Sequence, residues 1–310
     1  MGRFDPIYDL LFPTPATCPL CGSVLRHTPN SALFPARLCG RCQAGILEHT
    51  SGFCRVCGRV GEGGLCKDCA RTPHQFLEAR AFGRYEGTLE QAIKGLKYQG
   101  DRRLIPILGE WVMEAYLRHF GHARDHLIVP IPMHAKKQLR RGFNQAEVIA
   151  FYVVKRLRLP SANVLLKVSP SDSQTTHSRQ ERIQSLRGAF VLNDSQTLTY
   201  NRFADQLLTR YHELMVSAET QSARKQQIHQ SLAERALQRR DRERRGVAWI
   251  SRFLPITARK GAVKTVQELV HGQSILLIDD VLTTGGTADA CAEVLYHAGA
   301  VSVNVLTVAR

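Results

Sequence analysis

Residues 274–287 read S-I-L-L-I-D-D-V-L-T-T-G-G-T, and this order predicts a strand, an acidic pair, a turn and a helix. The apolar run Ile275 to Ile278 is typical of a strand that is buried on both faces of a parallel sheet. Asp279 and Asp280 follow the run, and a helix is predicted over 288–298. Open parallel sheets bind ligands beyond the carboxyl ends of their strands, so the acids and the turn are expected to face a ligand.

The turn itself has the residue types of an anion-binding loop: Thr283, Thr284, Gly285, Gly286 and Thr287. Glycines let backbone amides converge on an anion, hydroxyls add donors, and the helix amino terminus supplies positive potential. The acidic pair suits sugar hydroxyls, or Mg²⁺ held through water. These groups together predict a phosphorylated ribose as the ligand. The loop lacks the dinucleotide pattern G-x-G-x-x-G and the nucleoside-triphosphate pattern G-x-x-x-x-G-K-[ST].

The composition indicates a folded, strongly basic chain. It has 310 residues, of which 44% are hydrophobic, and a formal net charge of +15. The charge predicts an acidic partner such as nucleic acid or a phosphorylated metabolite. No apolar run approaches the roughly 20 residues of a membrane-spanning helix, and the first residues lack the apolar region of a signal peptide. We therefore expect a cytoplasmic protein without membrane insertion.

Eight of the nine cysteines form four C-x-x-C pairs within the first 70 residues. In a chain without an export signal, this pattern predicts metal ligands rather than disulfides. All-cysteine sets favour closed structural zinc sites, because a catalytic zinc keeps an open position. Sequential pairing of the C-x-x-C units is the simplest arrangement, and a crossed pairing is the alternative. The sequential sets are Cys18, Cys21, Cys39 and Cys42, then Cys54, Cys57, Cys66 and Cys69.

The chain divides into a double zinc-ribbon module over 1–75 and an α/β domain over 76–310. A helical, basic insertion at about 194–268 interrupts the second domain; from 202 to 264 it holds 14 Lys/Arg against 6 Asp/Glu. Strands are predicted near 82–85, 126–132, 164–168, 188–192 and 301–308, and helices over 87–98, 104–120 and up to about 157.

Two further groups are candidates for anion binding. Arg140 and Arg141 are predicted to open the helix that ends near 157, and the glycine and amides that follow them complete an anion pocket. A basic cluster surrounds the turn at 99–101; it either contacts phosphate or nucleic acid or forms a solvated face. Its members are Lys94, Lys97, Arg102 and Arg103. His134, in the loop after the second strand, is interpreted as a surface residue.

Two polar segments have two interpretations each. Residues 169–187, with Arg179, Arg182 and Arg187, form either a flap over the ligand or a solvated loop. In the insertion, the run Arg239 to Arg245 is followed by Trp249 and Phe253. Interleaved basic and aromatic residues suit single-stranded DNA, whereas a helical hairpin packed on the core is the alternative.

The loop Asp279 to Thr287 resembles the phosphoribosyl-pyrophosphate (PRPP) loop of type I phosphoribosyltransferases. The whole chain resembles the ComF/GntX (ComFC-like) family, whose members combine this fold with an amino-terminal zinc finger. Besides the C-x-x-C module, the motifs that carry the resemblance are K-Y-Q-G-D (97–101), R-G-F-N-Q-A (141–146), S-R-Q-E-R…L-R-G-A-F (178–190), D-D-V-L-T-T-G-G-T (279–287) and the final T-V-A-R.

The resemblance implies a type I phosphoribosyltransferase-like parallel sheet that binds PRPP with Mg²⁺. Arg140 and Arg141 would then lie beside the pyrophosphate. It also implies a role in DNA uptake during natural transformation, with single-stranded DNA and a ComFA-type helicase as partners. Relatives of the GntX type are linked with the use of DNA as a nutrient. The insertion departs from the family pattern, and so does the flap, which lacks an arginine–threonine pair upstream of Gln174.

The resemblance does not establish catalysis. Thr283 stands where purine-salvage phosphoribosyltransferases carry an aspartate, and a hydroxyl cannot replace that general base at neutral pH. Purine salvage is therefore not expected, and no catalytic residue is assigned. Two alternatives to a PRPP-binding competence protein stay open: an active phosphoribosyltransferase for an unidentified small metabolite, and a non-catalytic nucleic-acid-binding module.

Overall fold

The computed structural model describes residues 17–25, 38–49, 51–61, 63–121, 126–169, 186, 188–193 and 265–310. These residues form an α/β fold around a four-stranded parallel sheet, which confirms the predicted fold class. The strands of this sheet are β1 (Ala79–Gly83), β2 (Leu127–Pro130), β5 (Ser274–Val281) and β6 (Ser302–Ala309), in the order β1–β6–β5–β2. β3 (Leu165–Lys167) and β4 (Phe190–Leu192) form a separate antiparallel pair.

Eight α-helices are described in these residues. They are α1 (Gly40–Ala44), α2 (Lys67–Arg71), α3 (Gly87–Lys94), α4 (Ile105–His119), α5 (Ala135–Arg141), α6 (Gln145–Leu157), α7 (Val266–Val270) and α8 (Gly286–His297). A π-helical turn, Gly95–Gln99, continues α3, and a 3₁₀ turn, Arg102–Leu104, precedes α4. Among the described helices, none is long and apolar enough to span a membrane.

β5 lies inside the sheet and is buried on both faces. Ile275 and Leu277 pack with α7, α8 and the β3–β4 pair, whereas Leu276 and Ile278 pack with α3, α4 and α6. All four side chains have no exposed area. Because successive side chains of a strand point to opposite faces, an uninterrupted apolar run is what helices on both faces require. The predicted strand, buried on both faces, is confirmed.

Two cysteine-containing segments, 38–49 and 51–61, cover the outer edge of β1 and are called the zinc-binding segments below. The Arg84 N–H donates to Leu47 O at 2.8 Å, and the Ala79 N–H donates to Val56 O at 2.7 Å. A Cβ on Gly83 would lie only 2.4 Å from Leu47 O, so glycine permits this close approach. An open strand edge would otherwise present unpaired backbone groups, so the zinc-binding segments complete the sheet at this side.

Several predicted features lie outside the described residues. They are the flap except Ser169 and Leu186, with its three arginines, and the insertion up to residue 264, with Arg239–Arg245, Trp249 and Phe253. The chain is described again from Thr265, which caps α7 in a capping box with Glu268. The domain boundaries, the flap and the insertion therefore stay predictions.

Candidate functional site

The cysteines form two tetrads with the sequential pairing. Cys18, Cys21, Cys39 and Cys42 form the first tetrad, and Cys54, Cys57, Cys66 and Cys69 form the second. Within each tetrad the sulfur atoms lie within 4.8 Å of one another. Tetrahedral zinc with Zn–S bonds of about 2.3 Å needs sulfurs about 3.8 Å apart, so both sets fit a structural zinc ion. The crossed pairing that the sequence left open is excluded.

Local backbone geometry explains the knuckles. Gly22 and Gly58 follow the second cysteine of their pairs and have φ values of +72° and +69°. Glycine adopts this left-handed conformation readily, and the turn brings the two sulfurs of each pair to the same side. In the second tetrad, burial raises the pKa of Cys57, but hydrogen bonds from His74 and interactions with Arg310 outweigh it and lower that pKa to about 5. The thiolate that zinc requires is thus favoured.

The acidic pair lies in the last positions of β5, at the carboxyl end of the sheet. Asp280 is buried, and its N–H donates to Asp279 Oδ1 at 2.8 Å. Burial, followed by repulsion from the Asp280 carboxylate, raises the pKa of Asp279 to about 7. Because burial and the Asp280 carboxylate disfavour ionisation of Asp279, a bound cation would stabilise the charged pair.

Lys97 is the described partner of Asp280. Its Nζ lies 2.9 Å from Asp280 Oδ1. Burial acts to lower the pKa of Lys97, but the Asp280 carboxylate outweighs this effect and raises it. Lys97 belongs to the π-helical turn after α3, a local widening that is frequent at functional sites.

The residues of the predicted basic cluster have different acidic partners. Lys94 pairs with Glu90 on the surface of α3 at 2.7 Å, and Arg103 pairs with Asp101 at 2.7 Å. Only Lys97 among these residues is shown paired with the acidic pair. The sequence left the cluster undecided between a ligand contact and a solvated face, since a helical pattern does not reveal which side of a turn meets another strand.

Two more lysines, on α5 and β3, interact electrostatically with the acidic pair. Burial, then repulsion from Arg141 and Lys97, lowers the pKa of Lys137, which lies on α5. Burial, then repulsion from Lys137, lowers the pKa of Lys167, which ends β3 and also interacts with Asp279. Neighbouring cations that repel one another mark a place where an anion would be stabilised. Sequence analysis missed Lys167, because a lysine at the end of a short strand carries no signal of its own.

The predicted anion loop leads directly into α8, which begins at Gly286 rather than at Ala288. Gly285 is the N-cap residue, has a φ of +85° and supplies no side-chain cap. Arg310 donates from Nη1 to the carbonyl oxygens of Leu282 at 3.0 Å and Thr283 at 2.6 Å. Arg310 thus fixes the first two carbonyls of the loop. The glycine turn leads into the amino terminus of α8, where backbone N–H groups attract anions.

The arginine prediction needs a correction. Arg140 and Arg141 do not open the long helix; they end the preceding helix α5, and Gly142, with a φ of +82°, terminates it. α6 begins at Gln145, with Asn144 as its cap. The two helices are separate because glycine in the left-handed conformation is a frequent helix terminator. Arg140 is exposed.

The first residue of α6, Gln145, has a side-chain amide that could bind a ligand. Arg141 Nη1 donates to Gln145 Oε1 at 2.8 Å. Gln145 Nε2 is buried and has no hydrogen-bond partner among the described residues. A buried amide donor is costly to leave unpaired, so this group is a candidate for a ligand contact. His134, in contrast, is the N-cap of α5, where its Nδ1 accepts from the Lys136 N–H at 3.3 Å.

Comparisons with known proteins support the zinc-binding module and the predicted family. Residues 7–72 match the model of the double zinc ribbon domain. The chain is 29% identical over 182 residues to Competence protein F of Haemophilus influenzae, covering 56% of this chain and 78% of that protein. It is 24% identical over 180 residues to Competence protein ComFC of Bacillus subtilis, covering 54% of this chain and 72% of that protein. Together with the two cysteine tetrads, these similarities support the assignment of the chain to the ComFC-like family, as its sequence motifs predicted.

Proposed function

We propose that this protein binds PRPP, or another ribose phosphate, and acts in DNA uptake and processing during natural transformation. One observation carries the ligand assignment: an acidic pair, a glycine loop at a helix amino terminus and several cationic side chains meet at the carboxyl edge of one parallel sheet. This is where open α/β sheets bind their ligands. The competence role rests on the names of the two relatives.

Each part of a phosphorylated ribose has a counterpart in this arrangement. The loop from Thr283 to Thr287 and the start of α8 would hold the 5′-phosphate. Asp279 and Asp280 would accept hydrogen bonds from the ribose hydroxyls, and Lys97 would orient the Asp280 carboxylate through their ion pair. The pyrophosphate would face the end of α5, where Arg140 and Arg141 lie.

Mg²⁺ fits the same edge, because hard divalent cations prefer carboxylate oxygens and substrate phosphates. Asp279 and Asp280 would hold it, beside the Lys97 ammonium that pairs with Asp280 Oδ1. Bound Mg²⁺ would neutralise charge on a pyrophosphate group. The protein's own groups would position the ribose and exclude competing orientations.

Single-stranded DNA is the second proposed ligand. The net charge of +15 favours a polyanion, and Tyr98, which follows Lys97 in the π-helical turn, is 75% exposed. The Arg141 guanidinium lies 5.9 Å from the centroid of the Tyr98 ring. An exposed aromatic ring next to a cation suits base stacking and backbone attraction. The basic insertion is a further candidate surface, and a ComFA-type helicase is the proposed protein partner.

Calorimetry with PRPP and Mg²⁺ tests the pocket. We expect the wild type to bind, and the double variant Asp279→Asn with Asp280→Asn to lose binding. The matched control is Glu86→Gln with Glu90→Gln, which neutralises two surface carboxylates that pair with Arg84 and Lys94. Absence of binding by the wild type, or equal binding by the Asp-pair variant, would reject the ribose-phosphate site.

A second titration tests the DNA contact. Binding of labelled single-stranded DNA should weaken as salt rises, since contacts to phosphates release counterions. Tyr98→Leu should weaken it by about 1–3 kcal/mol if bases stack on the ring, whereas Tyr98→Phe should retain it. Equal binding by Tyr98→Leu and the wild type would exclude this surface and direct attention to Arg239–Arg245. Transformation of a strain that lacks the protein, complemented with the Asp-pair variant, then tests whether competence needs the pocket.

A further inference from the structure

His74 connects the second cysteine tetrad to the helix that carries the anion loop. Its ring hydrogen-bonds with the Cys57 side chain. Its Nδ1 lies 2.8 Å from Asp289 Oδ2, and the two side chains are 1% and 5% exposed. The neighbouring Gln75 N–H donates to Asp289 Oδ1 at 2.7 Å. Asp289 lies in the first turn of α8, so a buried polar chain runs from a zinc ligand to the helix that begins at the loop.

The same ring also packs against the loop directly. A Cβ on Gly285 would lie 2.5 Å from His74 Cε1, and the closest part of the ring is therefore in contact with the glycine turn. The ring also stacks on Phe76, with 4.3 Å between the centroids. The ring is held between Phe76, Cys57 and Asp289, so its position is determined by groups on both sides of the ribbon–sheet boundary.

Arg310 forms a second bridge from the same cysteine. It interacts with Cys57 both by charge and by hydrogen bonding. Its Nη1 reaches the carbonyl oxygens of Leu282 and Thr283, at the start of the loop. The loop is thus connected to one zinc ligand at both of its ends: at the first carbonyls through Arg310 and at the helix start through His74.

The first tetrad is connected differently. Thr88 Oγ1 donates to Cys42 O at 2.7 Å, and the Thr88 N–H donates to Gly45 O at 3.3 Å. These contacts end at the start of α3, not on the loop or on α8. In the described residues, the two zinc sites therefore support different parts of the fold.

We propose that the second zinc site positions the anion loop, with His74 and Arg310 as positioning residues, while the first zinc site does not. Zinc fixes the place of Cys57, and outer partners of a metal ligand are oriented by that ligand. His74 and Arg310 then hold α8 and the first loop carbonyls. The ligand part of this inference rests on the proposed function, but the order of the loop does not.

Hydrogen–deuterium exchange compares the two zinc sites without any ligand. Cys66→Ser disrupts the second tetrad, and Cys39→Ser is its matched control in the first tetrad. We expect faster exchange over residues 282–289 in Cys66→Ser only, because this loop loses its anchor. Faster exchange in both variants, or in neither, would overturn the proposal.

A second variant keeps the zinc and removes the bridge. His74→Gln retains one polar group but cannot reach both Cys57 and Asp289. We expect two zinc ions per chain, local exchange as in Cys66→Ser, and PRPP affinity lower by roughly 2- to 30-fold. Ile107→Val, in the core on the other face of the sheet, controls for a general loss of stability. Unchanged affinity and unchanged loop exchange in His74→Gln would overturn the proposal.

These measurements separate the inference from the proposed function. If the wild type does not bind PRPP, the ligand assignment fails, yet the exchange data still decide whether zinc orders the loop. If the wild type binds PRPP but the loop exchanges equally in all variants, the ligand assignment holds and the positioning role is rejected.

Discussion

Gly285 and Gly142 form a matched pair for testing how closely the zinc-binding segments pack against the anion loop. Their φ values are +85° and +82°, so alanine is strained equally at both. That strain costs about 1–2 kcal/mol. At Gly142 nothing lies within 4 Å of an added Cβ, whereas at Gly285 the Cβ would meet His74 Cε1 at 2.5 Å and Nδ1 at 3.0 Å.

The expected losses of unfolding free energy follow from this difference. Gly142→Ala should lose only the backbone cost of about 1–2 kcal/mol. Gly285→Ala adds overpacking of about 1–3 kcal/mol, because the ring is held by Phe76 and Asp289 and cannot move freely. Urea unfolding of both variants, with unchanged m values, measures the two losses.

A double variant identifies the cause. In a His74→Ala background, Gly285→Ala should cost no more than Gly142→Ala, because the clashing ring is gone. Equal losses for the two glycine variants in the native background would refute the close contact. So would an undiminished loss for Gly285→Ala when His74 is absent.

Three further outcomes are expected. Metal analysis of the purified chain should find two zinc ions, and fewer would contradict two complete tetrads. Burial, then the nearby Arg80 and Arg118, lowers the pKa of His119 to about 4; the unfolded chain therefore binds the proton first as pH falls below 6.5. From pH 8 to pH 5 the wild type should lose about 2 kcal/mol more unfolding free energy than His119→Gln does, and equal losses in the two proteins would exclude this role of His119. Lys97→Met should destabilise the fold by about 2 kcal/mol, because it removes the partner of the buried Asp280. Lys94→Met breaks only an exposed ion pair and should change stability little. Equal losses of stability in the two variants would contradict the buried ion pair.

Much of the fold was predictable from local patterns. The apolar run before Asp279 predicted a strand covered on both faces, and the structure confirms it. The C-x-x-C pairs predicted two zinc sites, because two thiolates on one tight turn are a typical half of a tetrahedral zinc site. Helix boundaries were less accurate. Arg140 and Arg141 were assigned to the wrong helix because Gly142 was interpreted as part of a helix start rather than as the end of α5.

The sequence by itself determined the chemistry at this site: the strand, the acidic pair, the glycine loop and the thiolates are all consequences of residue type and local spacing. Only the tertiary structure decided which distant groups meet them. Lys97, Lys167 and His74 come from elements far apart in sequence, and their contacts depend on strand order and on how the ribbon docks on β1. No local pattern encodes such contacts, because each depends on the packing of whole elements around a shared core.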